Sequence, residues 1–137
     1  MVVVMALRRL VLLLCTTVAV WAGVPAPAPA DGGGDGDREA RVSTRCAGGA
    51  TSQLRVRSRD GSIRLEFELK RRRARESWRV VIVHERRVAW RGTVRTGDSG
   101  SLRVRRSLDD YEGVDRVTVR ASGPRGLTCE TSARLLG

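Results

Sequence analysis

The stretch from Gln53 to Glu85 decides the fold of this chain. It reads QLRVRSRDGSIRLEFELKRRRARESWRVVIVHE. Apolar and polar residues alternate along it in three runs, and short polar links separate the runs. Alternation with a period of two is typical of β-strands that bury one face. The stretch therefore predicts three consecutive strands.

The dipeptide Asp60-Gly61 lies between the first two runs. Asp-Gly flanked by alternating residues is typical of a two-residue type I′ hairpin turn. Such a turn fixes the register of the two strands, and a slip of one residue would turn every apolar side chain to water. The predicted pairs are Val56 with Leu65, Leu54 with Phe67 and Ser58 with Ile63 on the core side, and Arg55 with Glu66 and Arg57 with Arg64 on the outer side.

The same alternation continues to the end of the chain and predicts eight strands. They are Arg41–Ala47, Ser52–Arg59, Ser62–Lys70, Ser77–His84, Arg87–Arg95, Ser101–Leu108, Asp115–Ser122 and Leu127–Arg134. The links between them are too short for a crossover helix, so neighbouring strands should run antiparallel. We expect an all-β fold, an antiparallel β-sandwich of seven or eight short strands.

Two of these strands carry more specific expectations. The segment Trp78–Val83 is apolar in both phases of the alternation, which predicts a central strand covered on both faces. On the next strand, Val88, Trp90 and Val94 should continue the core. Gly92 between them would permit a bulge or a close contact.

The run Tyr111–Arg120 is similar to the late strand of immunoglobulin-like and fibronectin-type-III-like domains, and Trp78 is similar to the core tryptophan of those domains. In these features the chain resembles small secreted β-sandwich proteins from GC-rich actinobacteria. The resemblance implies an immunoglobulin-like sandwich and no particular function. The cysteine spacing departs from that of true immunoglobulin domains, where tryptophan follows the first cysteine by a dozen or so residues.

The N-terminus reads as a signal peptide. Arg8 and Arg9 precede the uncharged run Leu10–Val24, which is shorter than the roughly 20 residues that span a bilayer as a helix. Cleavage is expected near Ala30 or near Ala22, and an uncleaved membrane anchor is the alternative. We divide the chain into a signal peptide (residues 1–30), a flexible Gly/Asp linker (31–40) and a β-sandwich domain (41–137).

Cysteine usage supports export. Removal of the signal leaves Cys46 and Cys129, an even pair that an oxidising compartment would join as a disulfide. The bond would connect the first and last strands. Two separate buried thiols are the alternative.

The charge is strongly basic, with 26 lysines and arginines against 15 aspartates and glutamates. Lysine occurs once and asparagine is absent, so the arginine excess partly reflects the codon usage of a GC-rich genome. We interpret most of it as a solvated face. One segment could bind phosphate or sulfate groups: a basic hairpin tip formed by Lys70, Arg71, Arg72, Arg73 and Arg75. A solvated loop that protects a strand edge is the alternative interpretation.

Recognised catalytic patterns do not fit the sequence. His84 is the single histidine, and its place in a strand predicts a half-buried structural role. Glu66 and Glu68 share one strand face with arginines around them, which predicts surface ion pairs. Zinc needs three or four ligands, and oxidised cysteines could not serve. We expect no enzyme, no cofactor and no metal site.

Two hypotheses of function follow. In the first, a secreted module docks on an anionic cell-envelope polymer, such as a wall polymer or an anionic membrane surface, through the basic segment. Specific nucleic-acid binding is disfavoured because few aromatic side chains would be free to stack on bases. In the second, a structural or adhesion domain binds another protein through its strand edges.

Overall fold

A computed structural model describes residues 38–136 of the chain, so the predicted signal peptide and the linker up to residue 37 lie outside the described residues. The described part contains eight strands and two short 3-10 turns. The strands are β1 (Arg38–Arg45), β2 (Thr51–Arg59), β3 (Ser62–Lys70), β4 (Ser77–His84), β5 (Arg87–Arg95), β6 (Ser101–Asp109), β7 (Asp115–Ser122) and β8 (Thr128–Leu135). The 3-10 turns are Ala47–Gly49 and Pro124–Gly126. Within these residues no helix is long and apolar enough to cross a membrane.

The strands form two antiparallel sheets of four, in the orders β1-β2-β3-β6 and β5-β4-β7-β8. The prediction of an all-β antiparallel fold is confirmed. Four strands have the predicted bounds, namely β3, β4, β5 and β7. The largest difference is at β1, which begins at Arg38 rather than Arg41 because Arg38, Glu39 and Ala40 pair with the far end of β2. These three residues of the predicted linker belong to the sandwich.

The hairpin between β2 and β3 has the predicted register. Asp60 and Gly61 adopt φ angles of 52° and 70°, the positive values that both central residues of a type I′ turn require. The pairs follow the sequence expectation at each of the five predicted positions: Val56 with Leu65, Leu54 with Phe67, Ser58 with Ile63, Arg55 with Glu66 and Arg57 with Arg64. A short local signal was sufficient to set this register.

The core lies between the inner faces of the two sheets. Its largest fully buried side chains are Trp78 and Phe67, one from each sheet. Strand β4 lies between β5 and β7, so it is central as predicted. Its second apolar phase is less covered than expected, since Val81 and Val83 on the outer face are half-buried.

Strand β5 departs from the prediction at one residue. Ile82 pairs with Trp90, but the next residue, Val83, pairs with Val88, so Ala89 has no partner and forms a β-bulge. The extra residue reverses the alternation, and Val88 is 51% exposed instead of continuing the core. Trp90 packs on the core as predicted. The predicted close contact also occurs, because a Cβ atom on Gly92 would lie 2.5 Å from the Trp90 ring.

A disulfide joins Cys46 and Cys129, as predicted. Cys46 directly follows β1, and Cys129 lies in β8. These are edge strands of opposite sheets. The bond therefore links the two sheets along one side of the sandwich and connects its two ends in sequence.

Candidate anion-binding loop

The segment that contains Lys70 and Arg71–Arg75 connects the two sheets. It leaves β3 in the first sheet and enters β4 in the second. The prediction of a hairpin tip is therefore wrong, because the second partner of β3 is β6 and not β4. We call residues 70–75 the basic loop.

The connections at the two ends of the sandwich carry opposite charge. The basic loop shares its end with residues 46–50, 96–100 and 123–127, and we call this the basic end. The opposite end, formed by residues 60–61, 85–86 and 110–114, is the acidic end. In the connections, the basic end has five arginines (Arg71, Arg72, Arg73, Arg75, Arg125) against Glu76 and Asp98, and the acidic end has four carboxylates (Asp60, Glu85, Asp110, Glu112) against Arg86.

One buried threonine holds the basic loop in place. Thr96 is 2% exposed. Its backbone N–H donates to the Glu76 carbonyl oxygen at 2.9 Å, and its carbonyl oxygen accepts from the Arg75 N–H at 3.0 Å. Its hydroxyl accepts from the Glu76 N–H and donates to the Arg73 carbonyl oxygen, each at 2.9 Å. Four hydrogen bonds thus tie the backbone of Arg73, Arg75 and Glu76 to one residue.

Arg71 has a structural role, and part of its guanidinium is already occupied by Glu76. Its guanidinium donates to a Glu76 carboxylate oxygen at 2.8 Å, and the two side chains are only 9% and 12% exposed. Its N–H donates to the Gly100 carbonyl oxygen at 2.8 Å. Gly100 has a φ of +75°, and a Cβ atom there would lie 1.8 Å from the Arg71 carbonyl oxygen. The loop therefore requires glycine at this position.

The other cations of the basic loop are more accessible. Lys70 is 3.5 Å from Glu68, and Arg75 is 3.6 Å from Asp98 with both side chains almost fully exposed; exposed pairs of this kind are weak. Arg72 and Arg73 are exposed and form no ion pair within the described residues. These two arginines are the free cations of the predicted anion site.

The loop also borders a cleft of about 340 Å³. Its lining contains three cations, from Lys70, Arg71 and Arg72, and three hydroxyl groups, from Thr51, Ser99 and Ser101, with Gly49 beside them. Guanidinium groups and hydroxyls are the usual donors to phosphate and sulfate oxygens. The cleft lies within the size range of pockets that bind small ligands.

Most other arginines lie on the outer faces of the sheets. On the first sheet they alternate with glutamates, and ion pairs connect them across strands: Arg55 to Glu39 at 2.9 Å, and Arg103 to Glu66 at 3.2 Å. The hydrogen bond from Arg55 holds the pKa of Glu39 below its ordinary value. Glu66 and Glu68 take part in surface ion pairs, as predicted. Five arginines of this sheet line one cleft of about 470 Å³ together with Glu66: Arg55, Arg57, Arg64, Arg105 and Arg106. Net charge alone therefore does not single out the basic loop as a binding surface.

His84 lies at the acidic end and is more buried than predicted. It is 5% exposed, and its ring stacks on Tyr111 with the centroids 5.0 Å apart. Its Nε2 is 2.7 Å from Oδ1 of Asp115, a carboxylate that is itself 1% exposed. Sequence reasoning missed Asp115, although the acidic run Asp109–Asp115 was a signal of its location.

A second carboxylate, Asp110, adjoins this pair. Ser58 donates a hydrogen bond to Asp110, and an Arg38 guanidinium nitrogen lies 3.1 Å from the same oxygen. The bond from Ser58 lowers the pKa of Asp110, whereas burial raises the pKa of Asp115. One carboxyl group therefore stays ionised and the other resists ionisation.

Comparison of the chain with protein-family models, with curated proteins and with solved structures finds no match in any of the three.

Proposed function

We propose that the protein is a secreted, non-enzymatic interaction module that docks on an anionic cell-envelope polymer through the basic loop. The observation that carries the proposal is the anchoring of the loop backbone around the exposed Arg72 and Arg73. Thr96 binds the Arg73 carbonyl oxygen, and Arg71, the residue before Arg72, is held by Glu76 and Gly100. A preorganised loop loses little conformational freedom when a ligand binds, so more of the interaction energy appears as affinity.

The chemistry of the cleft favours a polymer of phosphate or sulfate groups. Arginine can donate two parallel hydrogen bonds to such a group, and Ser99 and Ser101 add hydroxyl donors beside Arg72. A phosphodiester chain of the teichoic-acid type offers many such groups in sequence. Repetition raises the apparent affinity because a neighbouring group can rebind at once.

The compartment is part of the proposal. The Cys46–Cys129 disulfide persists in oxidising surroundings such as the outside of a bacterial cell. A signal peptide in residues 1–30 would deliver the chain there. Wall polymers and anionic lipid surfaces are the abundant polyanions in that location.

We also propose that the sandwich is immunoglobulin-like. If β2, β3 and β6 correspond to strands A, B and E, then β4, β7 and β8 correspond to C, F and G, which is the division between sheets in that fold. Trp78 then lies on strand C, where immunoglobulin domains have their core tryptophan. Strand β5 lies beside C and β1 is added at the edge of the first sheet.

The experiment compares two double charge reversals in binding to purified wall teichoic acid. R72E/R73E changes the basic loop. R79E/R91E changes two exposed arginines on the outer face of the second sheet and alters the net charge by the same amount. We expect the loop variant to bind at least tenfold more weakly and the control to stay within about threefold of the unmodified protein, with affinity falling steeply between about 50 and 200 mM salt.

Equal losses in both variants would mean that net charge, not the loop, drives binding. Affinity that does not change with salt would contradict a polyanion ligand altogether. The alternative function, a structural or adhesion domain, rests on a different surface. Val88 is exposed on the edge strand β5 and pairs with half-buried Val83, so a protein partner captured there at high salt would favour that role.

A further inference from the structure

We propose that His84, Glu85 and Asp115 form a binding site for a divalent transition-metal ion at the acidic end. One ligand atom from each of the three lies within 4.8 Å of the other two. The His84 Nε2 and Asp115 Oδ1 atoms are 2.7 Å apart. This is the length of a direct hydrogen bond, whereas two ligands of one tetrahedral ion at bond lengths of about 2.0–2.2 Å are about 3.3–3.6 Å apart. The two atoms would therefore separate by roughly 0.7 Å to admit an ion between them.

The buried carboxylate of Asp115 is the observation that points to a cation. Asp115 is 1% exposed, and its Oδ2 atom has no hydrogen-bond partner within the described residues. A buried polar oxygen without a partner is costly. Asp110, which is held by Arg38 and Ser58, adjoins the same carboxyl group. A metal ion would satisfy the Asp115 oxygen and favour the ionised form of this carboxyl group, which burial disfavours.

The fold orients these side chains before any ion binds. His84 and Asp115 lie at paired ends of β4 and β7, where His84 is opposite Val117. Glu85 follows in the turn to β5, and its side chain accepts a hydrogen bond from the Arg116 backbone N–H. Its own N–H donates to the Arg116 carbonyl oxygen at 3.1 Å. Such supporting hydrogen bonds are typical of the surroundings of metal ligands.

The local charge and the ligand types indicate which ion would bind. The chain as a whole is strongly cationic, but the connections at the acidic end contain four carboxylates and one arginine. An imidazole nitrogen with two carboxylates suits zinc or manganese better than calcium, which prefers six to eight oxygens. Three protein ligands leave a further position for water or for a group from a partner.

The test uses cobalt(II), whose visible absorption reports coordination, as a probe for the zinc-type site. Metal-free protein, freed of ions by a chelator, is titrated with Co²⁺ and then with Zn²⁺. We expect one equivalent of Co²⁺ to produce an absorption band that Zn²⁺ removes. The E85Q variant should bind Co²⁺ at least tenfold more weakly because it lacks one of the two carboxylate ligands. It should still fold, since Glu85 lies in a turn and the amide has nearly the same shape.

The matched control is E112Q, which removes a carboxylate from the same end of the sandwich without touching the three ligands. It should bind Co²⁺ as the unmodified protein does. D115N tests the buried ligand, with circular dichroism to establish that the variant is folded. Absence of a band at millimolar Co²⁺ would overturn the proposal. Equal binding by E85Q and E112Q would also overturn it, because a diffuse acidic cluster would then be responsible. Neither outcome bears on the basic loop.

Discussion

Thr96→Val is the substitution that tests most directly how the basic loop is held. Valine has nearly the shape of threonine but lacks the hydroxyl, which here accepts from the Glu76 N–H and donates to the Arg73 carbonyl oxygen. The backbone bonds of Thr96 to Glu76 and Arg75 would remain. An unsatisfied buried donor costs about 1–3 kcal/mol, and the net loss of a neutral hydrogen bond adds about 1 kcal/mol. We therefore expect the free energy of unfolding to fall by about 2–4 kcal/mol.

Thr96→Ser is the matched control because it retains the hydroxyl and removes only a methyl group, at a cost of about 1 kcal/mol. Urea denaturation gives the free energy of unfolding for both variants. Limited trypsin digestion gives the local effect, since Arg72 and Arg73 become cleavable when the loop opens. We expect the first cuts in T96V to fall in the basic loop. If T96V is as stable and as resistant as T96S, the hydroxyl does not hold the loop, and the argument for a preorganised site is lost.

Two further predictions concern stability. Cys46 and Cys129 are 83 positions apart, so the disulfide closes a long loop in the unfolded chain. C46A/C129A should therefore lower the free energy of unfolding by about 4 kcal/mol in urea denaturation. A loss below about 1 kcal/mol would mean that β1 and β8 stay together without the bond. Arg64 is opposite Arg57, a like-charge pair, so R64E should stabilise the sandwich by about 0.2–1 kcal/mol in thermal unfolding. A lower melting temperature for R64E would show that the pair is not repulsive.

The parts of the fold that depend on local chemistry could be predicted from the sequence. The Asp60-Gly61 turn determines the register of its hairpin because both residues tolerate positive φ. The bulge at Ala89 could not be predicted in the same way. The turn at Glu85 and Arg86 also has two residues with positive φ, but neither residue type is typical of such a turn. Without a typical turn signal, the spacing of Val88 and Trp90 predicts that both side chains point to the core. The bulge between them instead turns Val88 to solvent.

The candidate site was only partly predictable for a related reason. Composition locates the basic loop, but which of its cations are free depends on contacts with residues far along the chain. Arg71 is neutralised by Glu76 only because Thr96 and Gly100 fold the loop back. The contact between His84 and Asp115 could not be predicted either. It depends on the pairing of β4 with β7, two strands that no turn connects.

The arrangement of charge explains why a net charge of +11 says little about binding. Arginines within strands alternate with core residues, so the sandwich distributes them over two outer faces, where many meet glutamates. Residues in the connections do not alternate in this way. Because each connection joins the ends of two strands, these residues all lie at one of the two ends of the sandwich. Arginines therefore accumulate at one end and carboxylates at the other, although neither group is contiguous in sequence. The proposed anion and metal sites lie at these opposite ends, so each can be altered by substitutions that leave the ligands of the other in place.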